Sequence, residues 1–216
     1  MQFSADEPEA GPWRVVPLRD VLDLLVPPAA RLVGRIPIVA VDGRSASGKT
    51  TFAAKLAGVV PGACVVHTDD IAWWHSRFGW DDLMISGVLE PVRAGYAVDY
   101  RPPAWDERGR EGSVVVPASA TLLIIEGVGA GRRELAPFLD AAVYTQADLA
   151  VRAQRELVRE QAGENTRSGI AAWMEEENPF VAERRPWELA NLIVCSTPTM
   201  PYDADSEAVV APPIRR

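Results

Sequence analysis

The octapeptide Gly43-Arg44-Ser45-Ala46-Ser47-Gly48-Lys49-Thr50 constrains this chain more than any other stretch. It follows a short apolar run at 36–41, whose β-branched residues predict a fully buried strand, and it precedes a predicted helix over 49–58. It fits GxxxxGK[ST] at every fixed position. The glycines let the backbone curl around a phosphate and turn successive N–H groups inward, and the helix N-terminus that follows favours anionic oxygens. Lys49 is expected to reach the β- and γ-phosphates of ATP, and the Thr50 hydroxyl to ligate Mg²⁺, a hard cation that prefers oxygen. The expected nucleotide-binding set is Gly43, Ser45, Ala46, Ser47, Gly48, Lys49, Thr50 and Thr51. Thr51 is the next helix residue and need not touch the nucleotide.

Composition sharpens the role of Lys49. Of 22 basic residues, only Lys49 and Lys55 are lysines. A chain that otherwise uses arginine has kept a compact point charge where a forked guanidinium would fit poorly.

Further apolar runs at 64–67, 122–125, 141–144 and 192–195 alternate with helical patterns. The fold class expected is α/β, a P-loop NTPase with a five-stranded parallel sheet and helices on both faces. In such a sheet, ligands bind at the carboxyl ends of the strands. The expected organisation is a tail and helix over 1–34, a nucleotide-binding domain over 35–197 with a lid near 155–170, and a tail over 198–216. Residues 1–12 read as disordered. Residues 17–26 have helical spacing, with Pro27-Pro28 as the stop. Residues 81–94 read as a helix, and 96–119 as a long loop with a short ribbon at 113–116. Charged helical patterns at 147–161 and 170–184 flank the breaker segment 163–169.

The strand over 122–125 runs into Glu126-Gly127, where a carboxylate would orient Mg²⁺ directly or through water. The strand over 65–67 runs into Asp69 and Asp70. Asp69 is the candidate base for the proton of an attacking hydroxyl. Asp70 contacts substrate or a Mg²⁺-bound water, or caps the next turn. His67 reads as a strand-end residue and not as a catalyst, and His75 is uninformative. Arg152, Arg155 and Arg159 share one helix face. They form either a solvated, ion-paired face or a lid that meets the transferring phosphoryl group, with Arg152 and Arg155 as its catalytic members; Arg167 is a further lid candidate. Trp105 is the tryptophan expected to stack on a flat substrate ring.

The net charge of −8 argues against nonspecific nucleic-acid binding. No apolar run is long enough for a bilayer, and the acidic N-terminus does not read as a signal peptide, so a cytoplasmic protein is expected. Cys64 and Cys195 read as buried free thiols of a reducing compartment. The partners expected are ATP and a small hydroxyl acceptor, with no nucleic acid and no membrane; the oligomeric state stays open.

With these residues in hand, the chain resembles the uridine kinase / phosphoribulokinase-like group of P-loop kinases over about 36–196. The loop GRSASGKTT is close to that family's GxSxSGKTT. Thr68-Asp69-Asp70-Ile71-Ala72 occupies the place of its D-x-F-Y segment, whose first Asp is the base, which implies Asp69 here. WDDLMISGVLEPVRAG, Trp80 to Gly95, looks like its acidic helix and implies Asp81 as a substrate contact. Pro103-Ala104-Trp105-Asp106 stands where a P-x-Y-D-like substrate segment is found, with Trp105 in place of an aromatic. Ile125-Glu126-Gly127 matches the strand-end E-G, and Val151 to Glu156 is similar to an R-R-x-x-R-D helix at Arg152 and Arg155. The F-Y pair has become Ile71-Ala72, and the family's substrate histidine has no counterpart. The resemblance implies ATP-dependent phosphoryl transfer to a hydroxyl of a small metabolite, with a nucleoside such as uridine as one acceptor. Two other readings stay open. One is an ATP-binding regulatory switch. The other is a nucleoside-monophosphate kinase with Arg101 or Arg108 on the acceptor phosphate.

Overall fold

The computed structural model describes residues 1–4, 6–31 and 34–214. Its strands are β1 (Arg14–Pro17), β2 (Ile38–Gly43), β3 (Ala63–His67), β4 (Val98–Tyr100), β5 (Val114–Val116), β6 (Leu122–Glu126), β7 (Ala141–Gln146), β8 (Leu192–Cys195) and β9 (Glu207–Ala211). Its α-helices are α1 (Leu18–Leu25), α2 (Lys49–Val59), α3 (Thr68–Ala72), α4 (Asp81–Met84), α5 (Glu90–Arg93), α6 (Pro103–Glu107), α7 (Leu149–Gln161), α8 (Arg167–Arg184) and α9 (Pro186–Leu189).

One sheet organises the chain in the order β1-β9-β8-β7-β2-β6-β3. The five strands from β8 to β3 run parallel, as the apolar runs predicted. Two strands were not predicted: β9 joins β8 antiparallel, and β1 joins β9 antiparallel. The expected C-terminal tail therefore closes one side of the sheet. Its Val209, Val210 and Ala211 are buried.

Alternation along β2 sends its side chains to opposite faces. Val39 and Val41 pack with α1 and α2, on Leu22, Phe52 and Leu56. Ile38 and Ala40 pack on the other face with Trp80, Met84 and Val88. Helix α1 buries Leu18, Val21, Leu22 and Leu25, the i, i+3, i+4, i+7 stripe of an amphipathic helix.

The helix expected over 81–94 is built in three pieces, α4, a π-helical turn Ile85–Leu89, and α5. Pro91 explains the break. It has no N–H and its ring crowds the carbonyl four residues back, so the preceding turn widens and Glu90 N–H reaches Ile85 O. The expected ribbon forms from β4 and β5, with α6 inserted between them.

The N-terminal segment also departs from expectation. Its described residues are held against the body: Gln2 N–H donates to Asp148 Oδ2 (2.9 Å), Ala10 N–H donates to Gln146 Oε1 (3.1 Å), and Glu7 and Ala10 are buried. Cys195 is buried and free, while Cys64, also free, is only half-buried. Among the described residues, no helix is long and apolar enough to cross a membrane.

Candidate active site

Strand β2 delivers the chain into the loop 43–50 at the centre of the parallel sheet. The curl needs left-handed backbone at Ala46 (φ 57°) and Gly48 (φ 92°), and φ 149° at Gly43. A side chain at Gly43 would collide with Thr145 Oγ1 and would stand 2.6 Å from Ser47 Oγ, so only glycine fits. Ser47 Oγ and Thr145 Oγ1 share a hydrogen bond of 2.6 Å. Lys49 is buried, and its ammonium donates to Arg44 O (3.0 Å), back across its own loop. Thr50 and Thr51 are exposed on the first turn of α2.

Behind the loop lies a carboxylate that the sequence reading passed over. Asp42 is buried and accepts from Gly43 N (2.6 Å), Gly129 N (2.8 Å) and Gly131 N (2.9 Å). Burial pushes its pKa up; the amides of Gly131, Gly129 and Gly43 and the charge of Lys49 pull it down. Asp42 thus joins the start of the phosphate loop to the loop that follows β6. The signal for it was an acid inside an apolar strand, where an unpaired charge is costly.

Strands β3 and β6 lie in register with His67 opposite Glu126. Their ends meet: His67 Nδ1 and Glu126 Oε2 are 2.6 Å apart. The Glu126 hydrogen bond raises the His67 pKa, burial opposes it, and the charges of Glu126, Asp70 and Asp69 add to the rise. Asp69 lies in the first turn of α3. Its side chain is open to the cavity, yet the protein around the carboxyl raises its pKa, Lys49 lowers it, and Glu126 raises it further.

These groups border one cavity of about 1000 Å³ between the loop, the strand ends and helices α7 and α8. Ser45, Ala46, Gly48, Lys49, Thr50, Thr51, Asp69, Glu126, Arg152 and Arg155 line it. The structure therefore gathers most of the residues expected from the sequence. The polar end faces an apolar wall that includes Leu149, Val151, Ile170 and Trp173.

The arginines of α7 have partners on the loop itself. Arg152 Nε donates to Ser45 O (2.9 Å), and Arg155 Nη1 donates to Ala46 O (2.9 Å). Burial, then the neighbouring charge of Arg159, lowers the Arg155 pKa. Ser45 is held from α8 as well, its N–H donating to Glu177 Oε1 (2.6 Å).

Asp70, Asp81 and Trp105 lie beyond the residues that line this cavity. Asp70 is ion-paired with Arg110 (2.5 Å). Trp105 is 4% exposed, its indole N–H donates to Asp70 O (2.9 Å), and the Arg110 guanidinium lies 3.7 Å from its ring centroid. In this structure the flat face of Trp105 is thus occupied by Arg110. Asp81 pairs with the buried Arg132 (3.2 Å), which lies 3.9 Å from the Trp80 ring centroid. Arg108 lies over Trp74, and Arg101 pairs with Asp106. Neither Arg110 nor Arg132 stood out in the sequence, where each was one arginine among many.

A nucleotide loop on a five-stranded parallel core, with acids at the two neighbouring strand ends, defines the class: the chain has the fold of the P-loop kinases. A similar solved structure is a protein provisionally described as a fructose transport system kinase, from Silicibacter sp. TM1040. It matches with a TM-score of 0.52 and 18% identity over 73% of this chain and 86% of its own. A second, provisionally described as a uridine kinase from Bacillus stearothermophilus, matches with a TM-score of 0.44 and 22% identity over 76% of this chain and 95% of its own. No protein-family model and no curated protein matches the sequence.

Proposed function

We propose that this protein transfers the γ-phosphoryl group of Mg-ATP to a hydroxyl of a small metabolite. One observation carries the reading: the Asp69 carboxyl and the loop residues Lys49 and Thr50 border the same cavity. Amides of the loop and Lys49 hold the phosphates at the N-terminus of α2. Asp69 accepts the hydroxyl proton as the acceptor oxygen attacks. Arg152 and Arg155 brace the loop through its carbonyls and add positive charge that stabilises the transition state as the bond to the departing ADP breaks.

The donor set fits Mg²⁺. Thr50 offers a hydroxyl and Glu126 a carboxylate on the cavity wall. Among the described residues, no cluster of three or more histidine, cysteine or acidic side chains competes as a cage. Mg²⁺ uses few protein oxygens and completes its shell with phosphate and water. When bound, it neutralises charge on the β- and γ-phosphate oxygens.

A nucleoside such as uridine is the acceptor suggested by the resemblance in the loop, in Asp69 and at the Glu126-Gly127 strand end. Asp81, Asp70 and Trp105 would then shape the acceptor side, through Arg132 and Arg110. A screen of nucleosides, sugars and small alcohols with Mg-ATP tests the reading. ADP release that depends on one acceptor supports it. Tight ATP binding with no acceptor-dependent ADP from any compound would overturn it in favour of a nucleotide-binding switch.

A further inference from the structure

Arg44, the second residue of the phosphate loop, is 1% exposed, and all three of its side-chain nitrogens are engaged. Nε donates to Glu7 Oε2 (3.1 Å), and Nη2 donates to both carboxylate oxygens of Asp6 (3.0 and 2.9 Å). Nη1 donates to Asn178 Oδ1 on α8 (3.0 Å). A residue of the nucleotide loop is thereby tied to an acidic segment more than thirty positions upstream.

That segment is anchored independently of Arg44. Gln146 Nε2 donates to Pro8 O (2.8 Å) and to Glu7 Oε1 (3.2 Å), and Leu149 N–H donates to Gln2 O (2.8 Å). It is fastened to β7 and to the start of α7. Burial pushes the Glu7 carboxyl pKa up, and the charges of Arg44 and Arg152 pull it back.

The consequence for the loop runs through the Arg44 backbone. Its carbonyl accepts from Lys49 Nζ (3.0 Å) and from Ser47 N–H (3.1 Å). Whatever fixes the Arg44 side chain therefore also fixes the oxygen that parks the phosphate-binding ammonium. The carboxylates of Asp6 and Glu7 also give the buried Arg44 guanidinium the counter-charge that burial demands.

We propose that the N-terminal segment is a strap that positions the phosphate loop through Arg44, with Asp6 and Glu7 as positioning residues for nucleotide binding. The proposal rests on the loop being a nucleotide site and is independent of the acceptor. A positioning strap makes the loop hold its shape before nucleotide arrives, which lowers the ordering cost of binding.

The test uses the full chain. Nucleotide affinity is measured by titration with a fluorescent ATP analogue, and amide hydrogen exchange is followed at residues 44–50. In the Asp6→Asn/Glu7→Gln variant, affinity should fall about tenfold to a hundredfold, the scale of two weakened charge-assisted contacts. Exchange should accelerate at the loop and not in β6 or β7. Adding Glu7→Gln to Arg44→Gln should change affinity little further, because Glu7 reaches the loop through the Arg44 side chain. Loop exchange that is unchanged, or that rises equally throughout the sheet, overturns the strap; so does full additivity of Glu7→Gln and Arg44→Gln. A wild-type chain that binds no nucleotide would sink the reading of the site, and the exchange comparison would still decide the strap.

Discussion

His67 Nδ1 stands 2.6 Å from Glu126 Oε2, across the register pair that β3 and β6 make at their carboxyl ends. The contact joins a histidine to the carboxylate proposed to orient Mg²⁺. It has a defined effect on stability. The folded His67 pKa is raised, chiefly by the Glu126 hydrogen bond, from an ordinary value of 6.5. The folded state therefore holds a proton that the unfolded chain releases, and stability from the pair is complete below pH 6.5. It is lost as pH rises through the folded value. Urea midpoints of wild type and His67→Gln should differ most at acid pH and converge toward alkaline pH. A gap that widens with rising pH would contradict the pairing.

Lys49→Ala and Asp69→Asn should separate binding from chemistry. Loss of the loop ammonium should weaken ATP binding by about tenfold to a hundredfold, the worth of a charge-assisted contact. Asp69→Asn should leave ATP affinity nearly intact and lower acceptor-dependent kcat by about 10²–10⁴-fold, the usual contribution of a general base. Isothermal titration with an ATP analogue, beside single-turnover assays, distinguishes the two. Full turnover by Asp69→Asn would remove the base assignment.

Asp69 should also stabilise the fold when its charge is removed. Its folded pKa is raised above the ordinary 3.8, first by enclosure, so the folded state binds the proton more tightly. Stability then declines as pH rises through the interval between 3.8 and the folded value, and the cost persists at neutral pH. Asp69 stands open to the cavity, so solvent screens this cost, and Asp69→Asn should raise Tm only slightly at pH 7. The acid limb of the kcat/KM profile should lie above pH 3.8 for the same reason. A Tm below wild type would show that the carboxylate is held by contacts that asparagine cannot replace.

Gly127→Ala should destabilise the chain. Gly127 has φ 152°, and a Cβ there would collide with Thr68 Oγ1 and stand 2.8 Å from Thr68 Cβ. Backbone strain and the clash together should cost about 2–4 kcal/mol. Adding Thr68→Ala removes the hydroxyl but leaves the Cβ contact, so only part of the loss should return. Thermal denaturation of the single and double variants checks both statements, and a single variant as stable as wild type would remove the steric argument.

Much of this protein was legible because local rules and global packing agree. The parallel strands were readable as apolar runs because four of the five, β2, β6, β7 and β8, are buried on both faces. Helix α1 was readable because its buried stripe keeps helical spacing. The antiparallel strands β1 and β9 were not, because their pairing brings Arg14 opposite Val210, a contact between distant parts of the chain. Asp69 and Glu126 could be singled out because Glu126 ends one apolar strand and Asp69 closely follows another, in a chain with a phosphate-loop sequence. Arg110 and Arg132 could not, since nothing local separates an arginine on an indole ring from one on the surface.

The octapeptide Gly43–Thr50 by itself determined that the chain curls between β2 and α2 in the form of a phosphate loop, because Gly43 and Gly48 supply backbone conformations that other residues rarely adopt. Only the tertiary structure decided what surrounds that turn. The Asp42 bridge to Gly129 and Gly131, the His67–Glu126 pair and the clamp of Asp6 and Glu7 on Arg44 all join residues far apart in the chain. Such contacts exist because sheet order and helix packing bring those segments together, and no spacing along the sequence encodes that proximity.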